Sequence, residues 1–166
     1  MSLDVPARSQ QVEAPDLASR ICSPTSVAMV LEAGGVNIPT AEVAALAYDA
    51  DHDIYGNWPR AVQAAFQAGV PGTLVRLSSW RAVQHFLEAG VPLIISVGAE
   101  PGQLQGAPYE STAGHLLVLR GLTPGGDVLV NDPAAATPDE VPRTYRREDL
   151  ELCWMRRGGV AYAIGQ

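Results

Sequence analysis

The sequence predicts an α+β chain in which a helical first half packs on an antiparallel sheet built from the second half. Three observations predict it. Between residues 22 and 90 apolar residues recur at helical spacing, and three of the four runs stop at glycine, at Gly34-Gly35, Gly69 and Gly90. After Gly90 the texture changes to β-branched apolar runs joined by turn residues. The two textures follow one another instead of alternating, which argues against a parallel βαβ sheet. At 166 residues the chain fits one domain, with residues 1–21 as an extended arm, 22–90 as the mainly helical lobe and 91–166 as the mainly β lobe.

Taken in order, the arm carries Pro, Ser and Gln without periodicity. A helix is expected from about Pro24 to the Gly34-Gly35 stop, because proline is tolerated in a first turn and Val27, Val30 and Leu31 follow on one face. Thr40 is expected to cap a second helix carrying Val43, Leu46 and Ala47. Asn57-Trp58-Pro59 opens a third, with Val62, Ala65 and Phe66 on its inner face. Ser78 or Ser79 caps a fourth, with Trp80, Val83, Phe86 and Leu87 inward, and a short strand from Thr73 to Leu77 separates the last two. Strands are then expected at Val91–Val97, His115–Leu119, Asp127–Val130 and Val160–Ile164, the middle two joined through Thr123-Pro124-Gly125-Gly126-Asp127 as a hairpin. The Gly/Pro-rich stretch from Pro101 to Pro108 reads as a mobile loop.

Composition narrows the function. The net charge is −7, from 11 basic and 18 acidic residues, and every basic residue is Arg. That balance argues against nucleic-acid or anionic-membrane partners, and the absence of Lys removes Schiff-base chemistry. The longest apolar run is too short to span a bilayer. Cys22 and Cys153 make neither a disulfide framework nor a zinc pattern, and no cofactor motif is present. Asp49, Asp51, His52 and Asp53 lack a further ligand pattern and read as a solvated loop, not a metal site. The opening Met1-Ser2-Leu3 looks like an added leader, so an upstream export signal is compatible with the sequence and the compartment stays open.

The chemistry-bearing residues are Cys22, His115 and Asp132. Cys22 stands just before Pro24 and the apolar helical run, at an expected helix N-terminus. Unpaired N–H groups and the positive end of the macrodipole favour a thiolate there. His115 opens one strand and Asp132 follows the next, so a hairpin between those strands sets the two side by side at one end of the sheet. An Asp holding one imidazole nitrogen leaves the other to take a proton from a thiol. Acyl transfer also needs a donor for the developing oxyanion, and the amide of Gln10 or Gln11 with the Cys22 backbone N–H meets that need. Tyr55 and Trp58 either wall a substrate cleft or cap and pack a helix start. Cys153, beside Trp154, reads as core, and the pairs Arg146-Arg147 and Arg156-Arg157 read as solvated.

In the order Val5-Pro6-Ala7-Arg8-Ser9-Gln10, Cys22-Ser23-Pro24-Thr25-Ser26, Gly114-His115 and Asn131-Asp132-Pro133, the chain resembles papain-like cysteine peptidases. The branch it is most similar to is the peptidase domain that trims double-glycine leaders in bacteriocin export, of the C39 type. The resemblance implies a papain-like fold, with a helical lobe carrying Cys22 against a sheet carrying His115 and Asp132 and a cleft between. It also implies Cys22 as nucleophile, His115 as general base, Asp132 as orienting acid, Gln10 as oxyanion donor, and a peptide or protein substrate with no cofactor. Two departures accompany it: Ser23 stands where the family usually has Gly, and the span from Gln10 to Cys22 is longer than usual, implying an insertion around residues 12–20. Two other activities on the same fold stay open, a catalytically idle peptide-binding module and an acyl or peptidyl transferase.

Overall fold

A computed structural model describes residues 1–165. Helices α1 (Pro15–Ala18), α2 (Cys22–Ala33), α3 (Thr40–Ala47) and α4 (Trp58–Gln67) precede strand β1 (Gly72–Arg76) and helix α5 (Trp80–Glu88). Strands β2 (Leu93–Ala99), β3 (Thr112–Leu122), β4 (Val128–Asn131) and β5 (Pro142–Tyr145), helix α6 (Arg147–Met155) and strand β6 (Val160–Ile164) complete the chain. The six strands form one sheet in the order β1-β6-β2-β3-β4-β5, every neighbouring pair antiparallel. The fold is the mixed helix and antiparallel-sheet class the sequence predicts.

The sheet is covered on both faces, which explains why its central strands β2 and β6 are buried at every position. Ile94, Leu116, Val118 and Tyr162 face one core with Val27, Met29 and Leu31 of α2, Val43 of α3 and Ala61 and Ala65 of α4. Leu93, Ile95, Leu117 and Leu119 face the other core with Val83 and Leu87 of α5 and Leu150, Cys153 and Trp154 of α6. All seven residues of β2 are buried. Cys153 is core, as expected.

Several elements differ from the sequence reading, each for an identifiable reason. Thr40 is the first residue of α3 with Pro39 as its cap, and Leu46 lies outward because the short helix buries only Thr40, Val43, Ala44 and Ala47. Phe66 is 68 % exposed, since α4 turns its small Ala61, Ala64 and Ala65 to the sheet for close approach. Asn57 and Ser79 do cap α4 and α5, accepting from the backbone N–H of Arg60 and Ala82. The expected arm is only partly extended: Gln10–Val12 form a 3-10 turn and Pro15–Ala18 a short helix. α6 and β5 were not expected; β5 is four residues long and opens on Pro, while α6 buries Leu150, Cys153 and Trp154 at helical spacing inside a strand-rich region. The 101–108 stretch is pinned, because Leu104 is buried and Arg143 donates to the Gly106 carbonyl at 2.7 Å.

Candidate active site

Cys22 is the first residue of α2, and α2 lies across β3 with the Ser26 hydroxyl donating to the Leu116 carbonyl at 3.2 Å. The site therefore forms where a helix N-terminus meets the start of a strand. No side chain caps this helix end, so its free N–H groups are left to stabilise negative charge near the half-buried thiol. Ser23 is fully buried with its hydroxyl 3.3 Å from the Tyr162 hydroxyl, so its side chain points into the core.

The β3–β4 hairpin forms as expected, pairing Val118 with Asn131 and Leu119 with Val130. It brings His115 Nε2 to 2.7 Å from Asp132 Oδ1, with the His115 side chain 7 % exposed and that of Asp132 0 %. An ionised carboxylate only accepts, so Nε2 carries the N–H and Nδ1 is the nitrogen left for the Cys22 thiol. Asp132 is saturated: Oδ1 also accepts from the Ala134 N–H at 3.1 Å, and Oδ2 accepts from the hydroxyls of Tyr145 at 2.8 Å and Tyr109 at 3.2 Å. Tyr109 also meets the His115 ring edge to face, 5.0 Å between centroids. Neither tyrosine was singled out in the sequence. Tyr145 offered no signal there, and Tyr109 follows a stretch that reads as a mobile loop.

The electrostatics follow from this packing. Burial works against charge on Asp132, but the His115 charge and hydrogen bond and then the Tyr145 hydroxyl outweigh it and hold the carboxyl below its ordinary value. Burial likewise opposes the imidazolium, yet Asp132 and then Cys22 raise His115 to about 10. Burial raises the Cys22 thiol, while the hydrogen bond and charge of His115 and the Leu116 and Ser23 N–H groups bring it below its ordinary value. The arrangement can hold a thiolate beside an imidazolium at neutral pH.

A cavity of 350 Å³ opens onto Cys22, walled by Ser19, Arg20, Tyr55, Trp58, Ser96 and Arg157 among others. Tyr55 and Trp58 both line it, and Trp58 also packs on the α2 core. Their loop is organised by Asp49, which is buried and accepts from Asn57 at 2.7 Å, His52 Nδ1 at 3.0 Å and the Asp51 N–H at 3.2 Å. The expectation of a solvated 49–53 loop is corrected for Asp49: its carboxylate is a structural hub.

Gln10 is not brought into the cavity wall. It is buried one layer behind, its amide nitrogen donating to the Ala18 carbonyl at 2.6 Å next to the wall residue Ser19, with Oε1 buried and unpartnered. The extra residues before Cys22 form α1, which folds back over it. Gln11 is exposed. Arg157 corrects another expectation: it lines the cavity, its Nε is buried, and it lies over Gly98 and Gly114.

Comparison with known proteins agrees with this fold. The chain resembles a protein described as a C39-like peptidase from Bacillus anthracis, with a TM-score of 0.71, 18% identity and coverage of 99% of this chain and 97% of that one. It resembles the peptidase domain of Streptococcus ComA, a bi-functional ABC transporter involved in quorum sensing, at TM-score 0.65 and 18% identity over 99% and 97% of the two chains. A double glycine motif protease from an AMS/PCAT transporter, solved in complex with the leader peptide, matches at TM-score 0.62 and 19% identity over 98% and 92%. No curated protein matches by sequence. The family model of the Peptidase_C39 like family matches residues 2–162, and with nearly the whole length so matched, this chain belongs to that family of cysteine peptidases.

Proposed function

We propose that the whole chain is one peptidase domain that hydrolyses a peptide or amide bond through Cys22, His115 and Asp132. The observation that carries the reading is the 2.7 Å contact between two buried groups, His115 Nε2 and Asp132 Oδ1, which leaves Nδ1 to a thiol at a helix N-terminus. The Cys22 thiolate attacks the carbonyl carbon of the bound peptide, and the carbonyl electron pair moves to oxygen. The Cys22 backbone N–H receives that oxyanion together with the second amide hydrogen of Gln10, once Gln10 turns toward the cleft. Collapse expels the amine, which takes its proton from Nδ1 of His115, and leaves a thioester on Cys22. Water then gives a proton to Nδ1 as its oxygen attacks the thioester, releasing the acid and restoring the thiolate–imidazolium pair. Asp132 keeps the ring in one tautomer throughout. Tyr55 and Trp58 contact the peptide in the cleft; the leader peptide bound to the double glycine motif protease supports a peptide occupant.

The test is the pH dependence of Cys22 alkylation by iodoacetamide in the unaltered chain and in His115→Ala. Reaction that persists well below pH 8 in the former, and returns to a midpoint near 8.5 in the latter, supports the pair. Coincident curves refute it. Peptide hydrolysis should then span a plateau bounded below by protonation of Cys22 and above by loss of the His115 proton near pH 10.

A further inference from the structure

Arg157 ends up in the cleft because of what surrounds its backbone. It follows α6 at a tight stop, where its N–H donates to the Trp154 carbonyl at 2.9 Å and Gly158 and Gly159 take φ of 75° and 65°. Leaving that anchored point, the side chain runs across two glycines on neighbouring strands. A Cβ on Gly98 would sit 3.2 Å from its Cδ, and one on Gly114 would sit 3.5 Å from its Nη2. Gly98 stands at the register shift between Val97 and Ala99 in β2, and Gly114 directly precedes His115. The bulge and the two missing side chains make the trough in which the guanidinium lies.

Its charge is unspent. Arg157 belongs to the wall of the Cys22 cavity and also to the wall of a second 350 Å³ cavity formed by Gly98–Pro101, Ser111–Ala113 and Arg156. Arg20 in the first cavity is paired with Asp53 at 2.8 Å, and Arg156 in the second with Glu100 at 3.3 Å. Among the described residues Arg157 has neither an ion-pair nor a hydrogen-bond partner, and its Nε is buried without one. The two ion pairs cancel, so Arg157 leaves the groove one positive charge in a chain of net charge −7. With Nε closed off, the Nη1 and Nη2 edge is the part left to meet a ligand, and a planar fork of N–H donors matches a carboxylate.

We propose that Arg157 is a specificity-determining residue, binding a carboxylate that the peptide substrate carries close to the scissile bond, in the cavity that Arg157 shares with Cys22. The inference deepens the peptidase reading and rests on it for Cys22 as the attacking thiol. The carboxylate comes either from an Asp or Glu side chain or from the peptide's own C-terminus. Both present the same two oxygens to the guanidinium.

The test alkylates Cys22 of the full chain with three reagents of equal length: N-iodoacetyl-glutamate amide, N-iodoacetyl-glutamine amide and N-iodoacetyl-glutamine free acid. The proposal expects one of the two acids to react about tenfold faster than the neutral amide. Which acid gains identifies the carboxylate's source. Arg157→Met, which keeps the stem over Gly98, should abolish the advantage, and Arg157→Lys should retain part of it. Each rate is divided by the plain iodoacetamide rate of the same chain, so that any effect of Arg157 on the thiol cancels and only its effect on the reagent's carboxylate remains. Equal rates for all three reagents, or an advantage that survives Arg157→Met, overturns the proposal. The ratio is read at pH 8.5 as well as at pH 6.5, and an ordinary thiol still alkylates at the higher pH. Loss of the carboxylate preference is thereby separated from failure of the Cys22–His115 pair, which the iodoacetamide pH curve alone reports.

Discussion

Two buried aspartates each hold a histidine, and their surroundings give them different work. Asp132 meets His115 at 2.7 Å with the histidine side chain 7 % exposed, whereas Asp49 meets His52 at 3.0 Å with the histidine side chain 71 % exposed. Asp49 spends its other bonds on Asn57 and the Asp51 backbone and lies 3.7 Å from Arg60, all within its own loop and the start of α4. Its carboxyl is held below the ordinary value first by the Asn57 hydrogen bond, against the effect of burial, and then by His52. Asp132 joins residues from four separate places: His115, Tyr109, Ala134 and Tyr145. The same pair of residue types is a local loop staple in one place and a long-range orienting device in the other. What separates them is water: a histidine open to solvent exchanges its partner freely, while an enclosed one is held in a single tautomer with one nitrogen aimed at the thiol.

The sharpest way to break the contrast is at Asp132. Asp132→Ala leaves His115 Nε2 and two tyrosine hydroxyls without their acceptor, and peptide hydrolysis should fall by about 10²- to 10⁴-fold in kcat/KM. Asp132→Asn keeps a hydrogen-bonding oxygen and loses the charge. It should fall less, and its upper pH limit should move below the value near 10 because the charge of Asp132 is what chiefly raises His115. Equal losses in the two variants, with an unmoved upper limit, would count against the carboxylate's charge mattering.

Next in size is Gln10→Ala. An oxyanion donor is worth about 100- to 1000-fold, expressed in kcat with little change in KM. Gln10→Glu is the companion measurement, retaining the side-chain length but no amide hydrogen; both variants lose the hydrogen bond to Ala18, so thermal melts are read beside kcat. Activity retained in Gln10→Glu would remove Gln10 from the oxyanion role.

Smaller still is Tyr145→Phe, which should cost about 1–3 kcal/mol of stability at neutral pH by removing one hydrogen bond to a buried carboxylate. The pH dependence has a definite sign. Asp132 titrates below its ordinary value of 3.8 in the folded chain, so its contribution is present above 3.8 and lost as pH falls through the lower folded value. Weakening the carboxylate's support raises that folded value, and thermal melts between pH 2 and 6 should show acid unfolding of Tyr145→Phe beginning at higher pH. The smallest effect belongs to the loop staple. Asp49→Asn should leave the Cys22 alkylation curve unchanged while raising KM, because Tyr55 and Trp58 lose a fixed loop and the catalytic pair loses nothing. A shifted alkylation curve would erase the distinction between the two aspartates.

Much of this was legible in the chain itself, wherever the signal is local. Pro24 and the spacing of Val27, Val30 and Leu31 announce α2 and put Cys22 at its start; the structure begins the helix at Cys22. The turn from Thr123 to Asp127 between two apolar runs announces the hairpin that joins His115 to Asp132. Other features hid for physical reasons. β1 and β6 were both expected as strands, but their pairing across nearly ninety residues is a partnership that no local pattern encodes. α6 carries Leu150, Cys153 and Trp154 at i, i+3 and i+4, a usable signal masked by its short length and by the charged residues around it.

The sequence by itself determined the helix that presents Cys22, the hairpin that pairs His115 with Asp132, the order of the textures and the residues worth suspecting. Those rest on backbone preferences and apolar periodicity, which act within a few turns of chain. Only the tertiary structure decided that Tyr109 and Tyr145 converge on Asp132, that Gln10 waits behind Ala18, and that Arg157 crosses Gly98 and Gly114 into the cleft. Each of these is a placement of a polar side chain against residues that its own helix or strand does not contain. Their partners are selected by what burial leaves within reach, and that is set when the sheet closes between its two helical layers.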